Sequence, residues 1–212
     1  MSTQVRSQNG SHILKARDIL NRSLVIADIK EGITILDDSV FLDCQNLSQV
    51  LFPCSLLRIR QYAFANCSAL QEIIIPNTVE NLGTGLFCGC TSLHRAVLPD
   101  RISKIGSRFF YGCTALSDVY MPKVKEIHME AFAHCCNLES IHLPDGLFRI
   151  GKKAFYNASK LTNLSIPSSV IRIEEGAFEG CDKLQRVTIP KRFSDHIEEI
   201  FNSTVINEFV FT

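Results

Sequence analysis

One interval dominates this chain. Phenylalanine stands at Phe41, Phe64, Phe87, Phe110, Phe132, Phe155 and Phe178, in steps of 23 residues with a single step of 22. All 7 prolines, from Pro53 to Pro190, keep the same steps, and so does a leucine row from Leu47 to Leu184. Three residue types held in one register over seven units define a structural repeat. A unit this small cannot bury its own apolar side chains, so each copy must stack on the next. The chain is therefore expected to fold as a solenoid.

One unit, from Tyr62, reads YAFANCSALQEIIIPNTVENLG. Its segment Leu70 to Pro76 has the spacing of a strand in which apolar residues alternate. Ile73 and Ile75 then point inward, and Glu72 and Ile74 outward. Proline ends each strand because it has no N–H to give to a ladder. The position before each row cysteine holds Asp43, Asn66, Gly89, Gly112, His134, Asn157 or Gly180. These residue types tolerate positive φ, so a left-handed turn is expected there in every coil.

The register fades at both ends. Leu24, Ala27, Ile29, Ile33 and Leu36 still hold it, with Lys30 in place of proline. Beyond Phe201 it decays, and Asn207 stands where leucine belongs. The expected organisation is a flexible tail over 1–12 and a single domain over 13–212. That domain divides into an N-terminal cap or partial repeat (13–40), seven repeats (41–200) and a degenerate C-terminal cap (201–212).

The pattern AF-x-x-C-x-x-L-x-x-(V/I)-x-(I/L)-P-x-x-(V/I)-x-x-I-G resembles the BspA-like leucine-rich repeat. The resemblance implies a right-handed leucine-rich-repeat solenoid, with a parallel sheet on the concave face and short turns opposite. It also implies a protein-binding, adhesin-like role at a cell surface or in secreted form, without catalysis. The N-terminal residues show no continuous apolar stretch of the signal-peptide kind.

Composition narrows the function further. The formal net charge is zero, with 22 basic and 22 acidic residues, which disfavours nucleic acid as a partner. No window of about 18 apolar residues is present, so membrane insertion is not expected. No G-x-S-x-G elbow, H-E-x-x-H helix or paired-carboxylate pattern stands out, so no enzyme activity, cofactor or metal is expected. GTGLFCG, from Gly83, misses a phosphate loop because Cys88 takes the third glycine position. A monomer is expected.

HMEAFAHCCN, from His128, looks at first like a metal or redox site near Cys135 and Cys136. The register explains most of it. Cys135 belongs to a row with Cys44, Cys67, Cys90, Cys113 and Cys181, which Ala158 completes. A row that accepts alanine wants a small buried group. Cys54, Cys88 and Cys136 fall off that row, and Cys54 and Cys136 stand where neighbouring repeats are polar.

The outward strand positions give the leading site. Leu51, Ile74, Val97 and Tyr120 form an apolar stripe, continued by His142, and Glu72, Arg95 and Asp118 flank it. An apolar stripe with a charged rim reads as a protein-binding surface. Two alternatives stay open. The repeats could be a rigid spacer within a larger surface protein, or the Cys135–Cys136 region could serve metal or redox chemistry.

Overall fold

The computed structural model describes residues 3–8, 10–202 and 204–212. Each coil makes three runs around the solenoid. The first is a short strand that ends just before proline, as in Glu72–Ile74, Arg95–Val97 and Asp118–Tyr120. The second is a two-residue strand, as in Arg58–Ile59, Asn81–Leu82 and Lys104–Ile105. The third carries the phenylalanine on a series of turns. Strands of successive coils pair in parallel, with Glu72 opposite Arg95 and Arg95 opposite Asp118.

The second strand row is not foreseen from the repeat, which predicts only turns there. Its inward residues, such as Ile59 and Ile105, are buried, and their neighbours Arg58 and Lys104 are exposed. Two alternating residues are enough to pair with the next coil. At Gly83 the backbones come so close that a Cβ would lie 2.3 Å from the Gln61 amide nitrogen.

The turn run is held by a ladder of its own. The amides of Tyr62, Phe64 and Asn66 donate to the carbonyls of Thr84, Leu86 and Cys88 in the next coil. The same three bonds recur at each junction, from Ser39 through Lys153. At the last junction Gly176 and Phe178 donate to Glu199 and Ile200, and Gly180 donates to the Thr204 hydroxyl. Two left-handed residues per coil make this geometry possible. One is the position before the row cysteine, with φ from 57° at Asn157 to 74° at Gly89 and Gly180. The other lies four residues earlier, at Ser39, Tyr62, Gly85, Arg108, Glu130, Lys153 and Gly176. Sequence reading finds the first row and misses the second, because Tyr, Arg, Glu and Lys do not advertise positive φ.

Inside, the phenylalanine rings stack along the axis. Successive centroids from Phe41 to Phe201 are 5.0 to 5.7 Å apart. The rings are buried in one continuous apolar core. Phe201 comes from a short helix, Ile197–Phe201, and closes the stack as a cap. Glu208–Phe211 then adds a last strand beside Arg186–Ile189.

The N-terminus differs from the expected flexible tail. Thr3–Val5 pairs with Ile26–Ile29, and Val5 is buried in the core. Ile13–Leu14 pairs with Ile35–Leu36, so an extra coil precedes the repeats. Met1, Ser2 and Asn9 of that tail, and Ser203 of the C-terminal cap, lie outside the described residues.

The first strand row is parallel but not continuous. Among the described residues it forms three sheets, each of three strands. Among the described residues, no backbone hydrogen bond joins Gln49–Leu51 to Glu72–Ile74, nor Asp118–Tyr120 to residues 139–143. The second gap sits at the coil that is one residue short. Elsewhere the turn after the strand is closed by a bond to the proline carbonyl, as from Val79 to Pro76. In the short coil Val124 donates instead to Met121, so the turn begins one residue early. At the first gap the coil has full length, but Phe52 stands in a row otherwise made of Ile, Leu and Met. Its ring meets Phe64 of the next coil edge-on at 6.0 Å, wider than the stacked pairs.

Removing one ring from the middle of the stack should cost about 3–5 kcal/mol. Urea denaturation of Phe110→Ala, compared with the parent chain, checks this. An unchanged midpoint would contradict the stacking register.

Candidate functional site

The strands Glu72–Ile74, Arg95–Val97 and Asp118–Tyr120 present their odd positions to solvent. Pairing puts Glu72, Arg95 and Asp118 in one line and Ile74, Val97 and Tyr120 in a second. Arg95 Nη1 lies 2.7 Å from Glu72 Oε1, and its Nε lies 3.1 Å from Asp118 Oδ2. Exposed pairs like these add little stability. It is the strand register that sets these three side chains in one line across three strands, with the ion pairs running along it.

Beside that line, Ile74 is 57% exposed and Tyr120 54%. Val97 between them is half-buried, leaving a shallow dip. Leu51 is also exposed, but its strand pairs with Ile26–Ile29 and stands across a gap from Ile74. His142 is exposed too, in a segment that forms no strand. Of the eight residues expected on this face, six therefore share one sheet, and Leu51 and His142 flank it across its two gaps.

A second cluster lies on the two-residue strands. Glu126 sits 3.0 Å from Lys104, Arg149 2.9 Å from Glu174, and Glu174 3.1 Å from Arg172. The Lys104 ammonium holds the Glu126 carboxyl below the usual carboxylate range. These charges neutralise one another along the coil stack, as a structural ladder does. His128 Nε2 lies 3.4 Å from Glu126 Oε2.

The row cysteines have a role that packing alone does not predict. The Cys67, Cys90, Cys113, Cys135 and Cys181 thiols each donate to a phenylalanine carbonyl of the preceding coil, at 3.1 to 3.3 Å. Thr204 makes the same bond with its hydroxyl, to Phe178. Burial pushes the Cys90 and Cys181 thiols up to about 12, and Cys67, Cys113 and Cys135 also upward. Cys136 is half-buried and turns to the His134 carbonyl, away from Cys135. The adjacent thiols thus diverge. Among the described residues no group of three or more His, Cys, Asp or Glu side chains is placed to hold a metal ion. No helix among the described residues is long and apolar enough to cross a membrane.

Comparison with known proteins follows the same lines. A leucine-rich protein from Bacteroides ovatus is 27% identical, with a TM-score of 0.73, over 88% of this chain and 54% of that one. The pneumococcal vaccine antigen PcpA is 25% identical, with a TM-score of 0.54, over 79% of this chain and 51% of its own. This chain thus spans about half the length of each. The T. pallidum leucine-rich repeat protein TpLRR shares the fold, at 22% identity and a TM-score of 0.60, over 100% of this chain and 80% of that one. No curated protein matches.

Thiol reactivity tests the buried row. Cys54 should react first with an aromatic disulfide reagent, Cys88 and Cys136 more slowly, and the six row cysteines only after unfolding. The linked pH effect has a definite sign. The folded chain keeps its row thiols protonated, whereas unfolded thiols ionise near about 8.5. Stability should therefore be intact below that value and fall as pH rises toward 12. Urea midpoints between pH 7 and pH 11 would show it.

The model of the BspA-type leucine-rich repeat region matches residues 20–135 and 125–212 in 6 copies, and with the stacked coils described above this shows that the chain belongs to the BspA-type leucine-rich repeat family.

Proposed function

We propose that this chain is a non-enzymatic protein-interaction module of a cell-surface protein and binds a protein ligand through its first strand row. The observation that carries this reading is the pre-set line Glu72–Arg95–Asp118 beside exposed Ile74 and Tyr120. Exposed aromatic and aliphatic side chains on a rigid sheet lose little entropy on binding. A charged line held in register beside them supplies specificity. Likeness to a pneumococcal vaccine antigen supports a surface location. The Leu51, Val97 and His142 positions extend the same face at its centre and edges.

A spacer role has its own support, because the turn-side ladder runs from coil to coil without interruption. The two readings separate in one experiment. A protein captured by the immobilised chain is identified and then titrated against Ile74→Asp/Tyr120→Ala and against Ile171→Asp, which alters an exposed residue on another face. The interaction reading requires the double variant to weaken binding at least about tenfold, roughly 1.4 kcal/mol. Ile171→Asp should leave affinity unchanged. Equal affinities for all three chains would remove this face as the binding site, and capture of no protein would leave only the spacer role.

A further inference from the structure

The three strands that carry the charged line are bounded on both sides by clefts. One, of about 690 Å³, opens between Leu51 and Ile74 with Val50 and Phe52 in its wall. The other, of about 590 Å³, opens between Tyr120 and His142 with Val119 and Met121 in its wall. Both lie where the backbone ladder is interrupted. Side chains that would be core elsewhere reach solvent here. Val50, Val119 and Ile141 are only partly buried, whereas Ile73, Ala96, Leu164 and Val187 at matching positions are at most 3% exposed, and Phe52 is partly buried where its counterpart Ile75 is 2% exposed.

We propose that the two clefts are paired anchor sites for one extended polypeptide segment of a partner. The segment crosses the three strands and places a large apolar side chain in each cleft, with a basic residue between them. This deepens the interaction reading and rests on it. Three strand spacings of about 4.8 Å separate the clefts, roughly 14 Å in all. An extended chain rises about 3.4 Å per residue, so residues i and i+4 span roughly the same distance and point to the same side. Residue i+2 then faces the dip at half-buried Val97 and can lay a long side chain toward the charged line. Between the clefts stand two carboxylates, Glu72 and Asp118, around the single guanidinium of Arg95. That local excess of negative charge favours Lys or Arg at i+2, the intervening position that faces the sheet. Lys123, Lys125 and Asp145 line the second cleft past the end of the strand row, after Pro122 and Pro144.

Backbone geometry argues for side-chain insertion in the clefts. Both gaps expose apolar side chains that a partner can cover, and burying such a side chain in a preformed pocket is how anchor residues gain most of their effect.

Phage-displayed peptide libraries with phenylalanine fixed at i and i+4, at i and i+3, or at i and i+5 test this against the intact chain. The i, i+4 library should be enriched at least tenfold over the other two, with Lys or Arg exceeding Asp or Glu between the anchors. Val50→Phe, which fills the first cleft, should abolish that advantage. So should insertion of one residue between Lys123 and Val124, which restores the 23-residue step. Slower hydrogen exchange at Val119 and Met121 would report that the inserted chain has closed its gap. Equal enrichment at all spacings, or an advantage that survives both variants, overturns the anchoring. A library spaced nine or ten residues apart that wins instead would mean a helical partner, since a helix rises about 1.5 Å per residue, and would also overturn it. If Ile74→Asp/Tyr120→Ala weakens a protein partner while no spacing is preferred, the interaction face stands and the paired anchors fall.

Discussion

The turn-side backbone ladder is the constraint on which the rest of this solenoid depends. Three amides per coil donate to three carbonyls of the next coil, and they do so at every junction where the strand ladders fail. The bonds need alternate residues to point their N–H groups along the axis while the chain turns a corner. Two left-handed residues per coil, four apart, achieve this. The phenylalanine lies midway between them. Its ring is thereby aimed inward, and the ring stack follows from the ladder.

This division of labour explains how the chain tolerates defects. A missing residue after Pro122 shifts one turn from the proline carbonyl to that of Met121. It breaks the strand ladder at that coil, yet the turn-side bonds from Arg108, Phe110 and Gly112 keep their pattern. Phe52 similarly coincides with a gap on the strand side without disturbing the bonds from Ser39, Phe41 and Asp43. Irregularity is thus confined to the strand side. A rigid spine with an adaptable front is a sound arrangement for recognition, because the front can vary while the core stays packed.

Much of this was legible in the sequence, and what was missed has physical reasons. The phenylalanine, leucine and proline rows report side-chain packing and a missing N–H, which repeat as residue identities. The left-handed row before the cysteines is visible for the same reason, since Gly, Asn, Asp and His favour it. Its companion row holds Tyr62, Arg108, Glu130 and Lys153, whose strain is offset by inter-coil hydrogen bonds that no single residue reveals. On the strand face, the alternation at Glu72, Ile74 and Tyr120 predicted outward side chains. The gaps beside them did not show, because pairing is a relation between coils. The one-residue deletion was plain, but its result depended on which carbonyl the shortened turn would choose. At the N-terminus, Val5 is a single buried residue among the described ones of a segment without repeat pattern, too little to announce a strand.

The cysteine row shows how a packing position acquires a polar task. Each phenylalanine carbonyl already accepts the amide of the following row residue, as Phe64 does from Cys67. A carbonyl has a second lone pair, and in the closed core only a side chain of the next coil can reach it. The thiol is small enough for the core and still donates, at 3.1 Å from Cys90 to Phe64. Thr204 does so with oxygen at the C-terminal cap, where the site is only part-buried. Ala158 gives up the second bond to Phe132, and the carbonyl keeps the amide bond within its own coil. A small side chain is therefore the requirement and donation the refinement. Cysteine meets both without carrying a full hydroxyl into an apolar interior, and burial holds its proton in place.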